Sequence, residues 1–441
     1  MREEMTGRRA VAVAVVFALF IFTACWKLTY SSLWFDEGIE YWYSKTDSGP
    51  LPYEDKAEHG NDTMYTRIVS TAQPPLYNVL MHFWLKAGDS ELWFRLFGVV
   101  CGLAAMAGLF LTVLYLSGFR TALFTVLAGS FSYRLVYYWQ ECAEYYLMLC
   151  FLCWAMYFWV RGMQEPQRKT GFLFVPFAVA AVYSQYGAAF AVIPLGTILL
   201  IMVFRRGNKK RGCVLSALYA AALVLGALPL WHFFLKPQLT LQQGTDAGKY
   251  AFSASSLTTL PSDLVTVFRW SFLQDAPRAV LLVGLLFFAA VLITGGFFGE
   301  NACLRAFGIA NLAIWCLTWL AVAAGVYART NYMSGFGNRY GLFLLPLWLV
   351  WFAASLKEVM NRFPAAARCL AAAAVITLVL YCGWNWMRWI RPNWQKGDMR
   401  RRAEEWIEAG QPGPLYIDET DAPCFAYYTR GLETDAEIIY R

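Results

Sequence analysis

Three carboxylates stand close together in a chain that is otherwise poor in charge. Charged residues make up 15% of the sequence, yet Asp36, Glu37 and Glu40 fall within five positions. If this stretch is a helix, the three acids lie within one turn of each other. An apolar stripe with helical spacing accompanies them, formed by Ile39, Trp42 and Tyr43. Such a helix lies on a membrane surface, where its acids can accept a proton from a bound hydroxyl group.

A plainer interpretation of the same stretch stays open. Asp36 can cap the N-terminus of the helix, and the aromatic residues can anchor the helix at the membrane interface.

The composition is that of a helical membrane protein. Hydrophobic residues account for 59% of the 441 residues, which excludes an ordinary soluble domain. The net charge of +7 would favour an anionic partner for a soluble protein, but in a membrane protein the positions of the charges matter more. We expect no nucleic-acid partner. The three histidines lack the spacing of metal ligands, so we expect no histidine-built metal site.

Hydropathy predicts an all-α polytopic membrane protein with about eleven transmembrane helices. The predicted spans are 10–30, 92–117, 121–139, 144–161, 171–184, 187–204, 213–235, 278–298, 306–327, 340–357 and 365–387. Alternate short loops carry the lysines and arginines, at Arg120, 161–169, 205–211, Arg305 and 357–362. By the positive-inside rule the N-terminus is therefore cytoplasmic.

Three segments then fall on the extracytoplasmic side. Residues 31–91 form a long first loop with two interfacial helices, the second of which covers about 73–86 and, at roughly 20 Å, is too short to cross the membrane. Residues 236–277 form a second long loop, which is either a lid or a simple connector. Residues 388–441 form a small α/β tail, so residues 1–387 make up the transmembrane domain.

Polar side chains collect at the extracytoplasmic ends of the predicted spans. Besides the three acids, they are Arg95, Glu141, Glu144, Tyr183, Ser184, Gln185, Tyr186, Asn338, Arg339 and Tyr340. Arg339 begins a helix that runs inward, so its guanidinium and the positive helix terminus both favour an anion at the headgroup level. The alternative for Arg339 and Arg95 is that each reaches ordinary lipid phosphates.

Six short motifs follow one another in order along the first 360 residues. They are Trp34-Phe35-Asp36-Glu37, Pro74-Pro75-Leu76-Tyr77, Gly88 to Leu96, Tyr137-Tyr138-Trp139-Gln140-Glu141 with Tyr145, Tyr183-Ser184-Gln185-Tyr186, and Arg339-Tyr340 with Pro346. This ordered set resembles the membrane glycosyltransferases of the GT-C fold, particularly the group of protein O-mannosyltransferases and aminoarabinose transferases.

The resemblance implies a sugar donor linked to a polyprenyl phosphate, used on the extracytoplasmic face of the cell membrane. It implies that Asp36 is the general base, with Glu37 beside it, and that Arg339 and Arg95 bind the donor phosphate. The residues expected to bind substrate are Glu40, Glu141, Gln73, Tyr183, Gln185, Tyr186 and Tyr340. A single displacement would invert the anomeric centre, and the scheme requires no nucleotide, metal or other cofactor. The acceptor is a protein, a lipid or a polysaccharide.

The chain departs from the family pattern at three positions. Gln73 and Gln185 stand where the family often has histidine, and Ala143 stands where it usually has arginine. These changes indicate a different sugar, a different acceptor or an impaired enzyme. Two other functions are consistent with the same architecture: a flippase for lipid-linked sugars, and a non-catalytic membrane partner. A flippase would need polar residues through the middle of several spans, whereas stretches such as 103–114 and 281–294 are nearly free of them.

Overall fold

The computed structural model is almost entirely helical, which confirms the predicted fold class. It describes residues 7–71, 73–166, 169–206, 209–245, 276–324, 339–363, 398–432 and 436–440, with scattered positions within 262–273 and 365–387. Residues 335–338, which include Gly335 and Gly337 and precede Arg339 in the sequence, lie outside the described residues.

The described helices are numbered in chain order. They are α1 Gly7–Cys25, α2 Phe35–Lys45, α3 Lys56–His59, α4 Met64–Ser70, α5 Leu76–Leu85, α6 Glu91–Ser117, α7 Phe119–Ser130, α8 Tyr133–Gln140, α9 Tyr145–Gln164, α10 Phe174–Ser184, α11 Ala188–Arg206, α12 Lys209–Leu230, α13 Lys236–Thr245, α14 Arg278–Val291, α15 Ala302–Ala323, α16 Leu344–Arg362, α17 Met399–Glu408 and α18 Ala422–Tyr428. Strands β1 Leu415–Ile417 and β2 Ile438–Tyr440 form a parallel pair.

Seven helical segments among the described residues are long and apolar enough to cross a membrane. They are Gly7–Cys25, Glu91–Ser117, Tyr145–Gln164, Ala188–Arg205, Gly212–Leu241, Arg278–Phe297 and Ala302–Ala323. Each overlaps one of the predicted spans. The segment ending at Leu241 is longer than predicted, because a π-helical turn joins α12 to α13 and carries the helix into the segment expected to be a loop.

The four other predicted spans have a different form. The span over 171–184 is the short apolar helix α10, and that over 340–357 is α16, which ends with Lys357, Glu358 and Arg362. The span over 121–139 is divided into α7 and α8, with the break at Phe131 and Ser132. Only scattered positions of the span over 365–387 belong to the described residues.

The break before α8 lets that helix cap α1. The side-chain amide of Gln140 donates hydrogen bonds to the carbonyls of Ala24 at 2.8 Å and Trp26 at 2.9 Å. Carbonyls at the end of a helix have no hydrogen-bond donor within the helix, so the Gln140 side chain supplies the donors that are missing there. The contact fixes the point at which the chain leaves α1 and turns toward α2.

The C-terminal segment packs against α2. The indole N–H of Trp42 donates to the carbonyl of Pro423 at 2.9 Å, and the rings of Tyr41 and Tyr427 meet edge to face. A side chain at Gly38 would put its Cβ 2.9 Å from both Pro423 Cβ and Cys424 Sγ, so only glycine allows α18 to approach α2 this closely. The tail thereby holds one face of the helix that carries the three acids.

Candidate active site

Asp36 and Arg339 meet at one edge of the helical bundle. Asp36 lies in the first turn of α2, and Arg339 begins a single 3-10 turn just before α16. The Arg339 guanidinium donates a hydrogen bond to the Asp36 carboxylate across a separation of 303 residues. The two side chains are 29% and 33% exposed, so both remain accessible to a ligand.

Glu40 lies one turn after Asp36 and is buried. Its carboxylate accepts a hydrogen bond from the Asn78 side chain at 2.8 Å and another from Gln73. The pKa of Glu40 is raised to about 8, chiefly by burial and also by the nearby acids Glu144 and Asp36, against the two hydrogen bonds that lower it. Glu40 therefore holds its proton through most of the neutral range.

Glu144 completes a group of three acids. It is buried at the N-terminus of α9, and its pKa is raised to about 7. Burial is the main cause of this shift, to which Arg339 contributes a lowering and Asp36 a raising effect. The sequence prediction included Glu141 but not Glu144 among the site residues. A signal was present, since both acids belong to the segment between α8 and α9, but spacing alone does not show which of them faces Asp36.

Glu37 faces away from this group and forms a buried ion pair with Arg95. Its oxygens accept from Arg95 Nη2 at 3.0 Å and Nε at 3.3 Å, and from the backbone N–H of Cys142 at 3.1 Å. Arg95 also donates to Glu91 at 2.6 Å and to three backbone carbonyls between α1 and α2. All five of its N–H groups are thus engaged within the protein.

The remaining predicted site residues have different surroundings. Glu141 is buried at the end of α8, and Tyr138 lies within electrostatic range of both Glu141 and Arg339. Gln185 is buried at the end of α10. Tyr340 follows Arg339 in the same 3-10 turn.

Tyr183 and Tyr186 hold helices together. The Tyr183 hydroxyl donates to the carbonyl of Gly226 in α12 at 2.8 Å. The Tyr186 hydroxyl donates to the side-chain oxygen of Gln238 at 2.7 Å, and the Gln238 amide donates to the backbone carbonyl of Gln73 at 2.7 Å. Tyr186 is thus connected through α13 to the residue whose side chain supports Glu40.

One group of described residues has ligand atoms close enough together to hold a metal ion. Glu54, His59 and Asp62 lie on the first loop, with these atoms within 4.8 Å of one another. His59 and Asp62 already hydrogen-bond each other at 2.9 Å, and Glu54 accepts from the backbone N–H of Leu51 at 2.8 Å. Their polar groups have partners within the protein, so we assign no metal there.

The chain is similar to known proteins in part of its sequence and in its fold. Residues 72–231 match the family model described as dolichyl-phosphate-mannose-protein mannosyltransferase. This match includes Gln73, Asn78, Arg95 and Glu144, whereas Asp36 and Arg339 lie outside it. A search of curated protein sequences gives no significant match.

Solved structures with the same fold are membrane glycosyltransferases of the GT-C type. ArnT from Cupriavidus metallidurans, bound to undecaprenyl phosphate, superposes with a TM-score of 0.58 at 15% identity, covering 97% of this chain and 85% of that one. The oligosaccharyltransferase AglB from Archaeoglobus fulgidus, in complex with an inhibitory peptide and a dolichol-phosphate, gives 0.53 at 11% identity, covering 96% of this chain and 63% of that one. The sequence identities are low, but the structural superposition establishes that this chain has the GT-C fold.

Proposed function

We propose that this chain, which has the GT-C fold, is a membrane glycosyltransferase that moves a sugar from a polyprenyl-phosphate-linked donor to an acceptor hydroxyl. The contact between Asp36 and Arg339 is the observation that carries the proposal. It joins a group able to accept a proton to a group able to bind a phosphate, and both are half-exposed.

Asp36 is the general base in this scheme. The acceptor oxygen attacks the anomeric carbon of the donor sugar, and its proton passes to the Asp36 carboxylate. The bond between that carbon and the phosphate oxygen breaks, and the polyprenyl phosphate leaves with the electron pair. Attack and departure occur on opposite faces of the sugar ring, so a single displacement inverts the anomeric centre.

Arg339 binds the donor phosphate and stabilises the charge that develops as it leaves. The planar guanidinium matches the geometry of phosphate oxygens. The protonated state of Glu40 supports the same role, since a neutral carboxyl group next to Asp36 does not repel an anionic donor.

Lipid-linked carriers support the choice of donor class. The ArnT structure contains undecaprenyl phosphate and the AglB structure contains a dolichol-phosphate. The distribution of lysine and arginine supports an extracytoplasmic site, since α1 leads from its basic end at Arg8 and Arg9 to the connector before Asp36.

We assign Glu37 and Arg95 to the support of the site, because hydrogen bonds within the protein engage the polar groups of both side chains. Tyr183 and Tyr186 likewise position helices. Glu144 lies with Glu40 behind Asp36 and Arg339, the two residues that contact the substrate in this scheme.

The test is transfer of labelled sugar from a panel of polyprenyl-phosphate donors in membranes containing the wild-type chain. Asp36→Asn removes the base, and Asp418→Asn is the matched control because Asp418 is exposed on the C-terminal tail. We expect product with the wild type and the control, and none above background with Asp36→Asn. The productive donor then identifies the sugar. Donor movement across the bilayer without product would favour the flippase, and transfer that survives Asp36→Asn would overturn the assignment of the base.

A further inference from the structure

Four cations from three parts of the chain line one cavity at the far end of α1. The cavity has a volume of about 720 Å³, and its lining includes Arg8, Arg9, Arg120 and Lys357. Arg8 and Arg9 belong to the first turn of α1, Arg120 to the start of α7 and Lys357 to the end of α16. At 1.5 Å per residue the 19 residues of α1 span about 28 Å, so this cavity and the Asp36 site lie at opposite ends of the helix.

The protein fixes two of these cations in place. The Lys357 ammonium donates a hydrogen bond to the carbonyl of Ser117, at the end of α6. The Arg9 guanidinium lies 5.4 Å from the ring centroid of Phe119. Gly118, with φ +94°, makes the sharp reversal between α6 and α7 that brings these contacts together. The side chains of Arg8 and Arg120 are exposed beside them.

None of the described residues that line the cavity is acidic. The positive-inside rule accounts for cations at this end of the helices, but it does not account for four of them around one cavity.

We propose that this cavity is a binding site for a phosphate group, carried by the headgroup of an anionic phospholipid. Cations that converge on one volume repel each other, and a bound anion removes that repulsion. The cavity lies at the end of a transmembrane helix and therefore at the depth of lipid headgroups, where basic pockets between helices bind such lipids. Its volume falls in the usual range of small-molecule sites. The same chemistry would accept a soluble phosphate, so the test compares the two sources.

The test measures thermal stability of the purified full-length chain in a neutral detergent during titration with dioctanoyl phosphatidylglycerol. Dioctanoyl phosphatidylcholine and inorganic phosphate are titrated in parallel. A ligand that binds only the folded state raises Tm as its concentration increases. We expect phosphatidylglycerol to raise the Tm of the wild type. In the double variant Arg8→Gln/Arg120→Gln, the lipid concentration that gives half of the Tm shift should be at least about tenfold higher.

A matched variant separates this site from general surface charge. Lys209→Gln/Lys210→Gln removes the same number of cations from the start of α12, outside the cavity lining. It should keep the wild-type response, and both variants should match the wild-type Tm without ligand. If inorganic phosphate produces the same variant-sensitive shift, the phosphate site stands and its ligand is soluble. The proposal is overturned if neither phosphate source raises Tm, if phosphatidylcholine acts equally, or if both double variants weaken binding alike.

Discussion

Glu37 and Arg95 form a buried ion pair with two contacts, at 3.0 and 3.3 Å, and Glu37 is the neighbour in the chain of the half-exposed Asp36. Consecutive residues of one helix therefore have opposite surroundings. Because successive helical side chains point about 100° apart, Asp36 faces Arg339 while Glu37 faces into the bundle. The buried pair anchors the first turn of α2, and this fixes the position of Asp36.

Substitution of Asp36 by asparagine should abolish catalysis without unfolding the chain. Loss of a general base typically lowers the rate by about 10²- to 10⁴-fold. The side chain is half-exposed, so its loss of charge should change Tm little. The measurement is sugar transfer beside Tm in detergent, with Asp418→Asn as the control. An inactive variant that has also lost its cooperative melting would not support a catalytic role.

Substitution of Glu37 by glutamine should primarily reduce stability. It leaves the guanidinium of Arg95 buried without one of its charged partners, and breaking a buried pair in this way costs about 3–5 kcal/mol. We expect a large fall in Tm, measured in parallel with Asp36→Asn. A variant that keeps the wild-type Tm but loses transfer would instead place Glu37 in contact with substrate.

Arg339 should require the guanidinium itself and not only a positive charge. Arg339→Lys retains the charge but lacks the planar fork that a phosphate binds, so we expect most of the effect of Arg339→Ala, about 10²- to 10³-fold in kcat/KM. Arg305→Lys, at the opposite end of the bundle, is the control because its guanidinium contacts a backbone carbonyl. Equal activity of the wild type and Arg339→Lys would contradict a role in phosphate recognition.

Glu40 should make the folded chain less stable as pH rises. Its pKa is raised from 4.5 to about 8 in the fold, so between these values the unfolded chain releases a proton that the folded chain retains. Stability therefore falls across this window, by up to about 1.4 kcal/mol per pH unit, and the loss is complete above pH 8.

The variant Glu40→Gln removes this titration and keeps an oxygen that can accept from Asn78. Its Tm should fall less than that of the wild type between pH 6 and pH 8.5, although Glu144 contributes a change in the same direction. Parallel pH profiles for the two proteins would show that Glu40 is already charged at neutral pH.

Gly38→Ala should loosen the tail from α2. The added Cβ would lie 2.9 Å from Pro423 Cβ and Cys424 Sγ, and overpacking of this kind costs about 1–3 kcal/mol. Limited proteolysis should cut the C-terminal segment faster than in the wild type. Gly7→Ala, where nothing lies within 4 Å of the added Cβ, is the control and should behave as the wild type.

The sequence by itself determined the class of the protein and the position of most helices, and it predicted Asp36 and Arg339 as site residues. Membrane crossing requires long apolar segments, and these are visible without knowledge of how they pack. The break between α7 and α8 was not visible, because the contact that accompanies it, between Gln140 and the end of α1, joins residues that are far apart in the chain. A side chain that caps another helix leaves no periodic signal of its own.

Only the tertiary structure decided which polar residues meet. Arg95 and Arg339 have the same type and the same position at a predicted helix entrance, yet one is enclosed by acceptors and the other is half-exposed beside Asp36. Glu144 joins the acids of α2 because α9 begins next to them, more than 100 residues later in the chain. Burial and charge depend on neighbours that are distant in sequence, so the pKa of Glu40 and the cations that meet at Lys357 follow from packing alone.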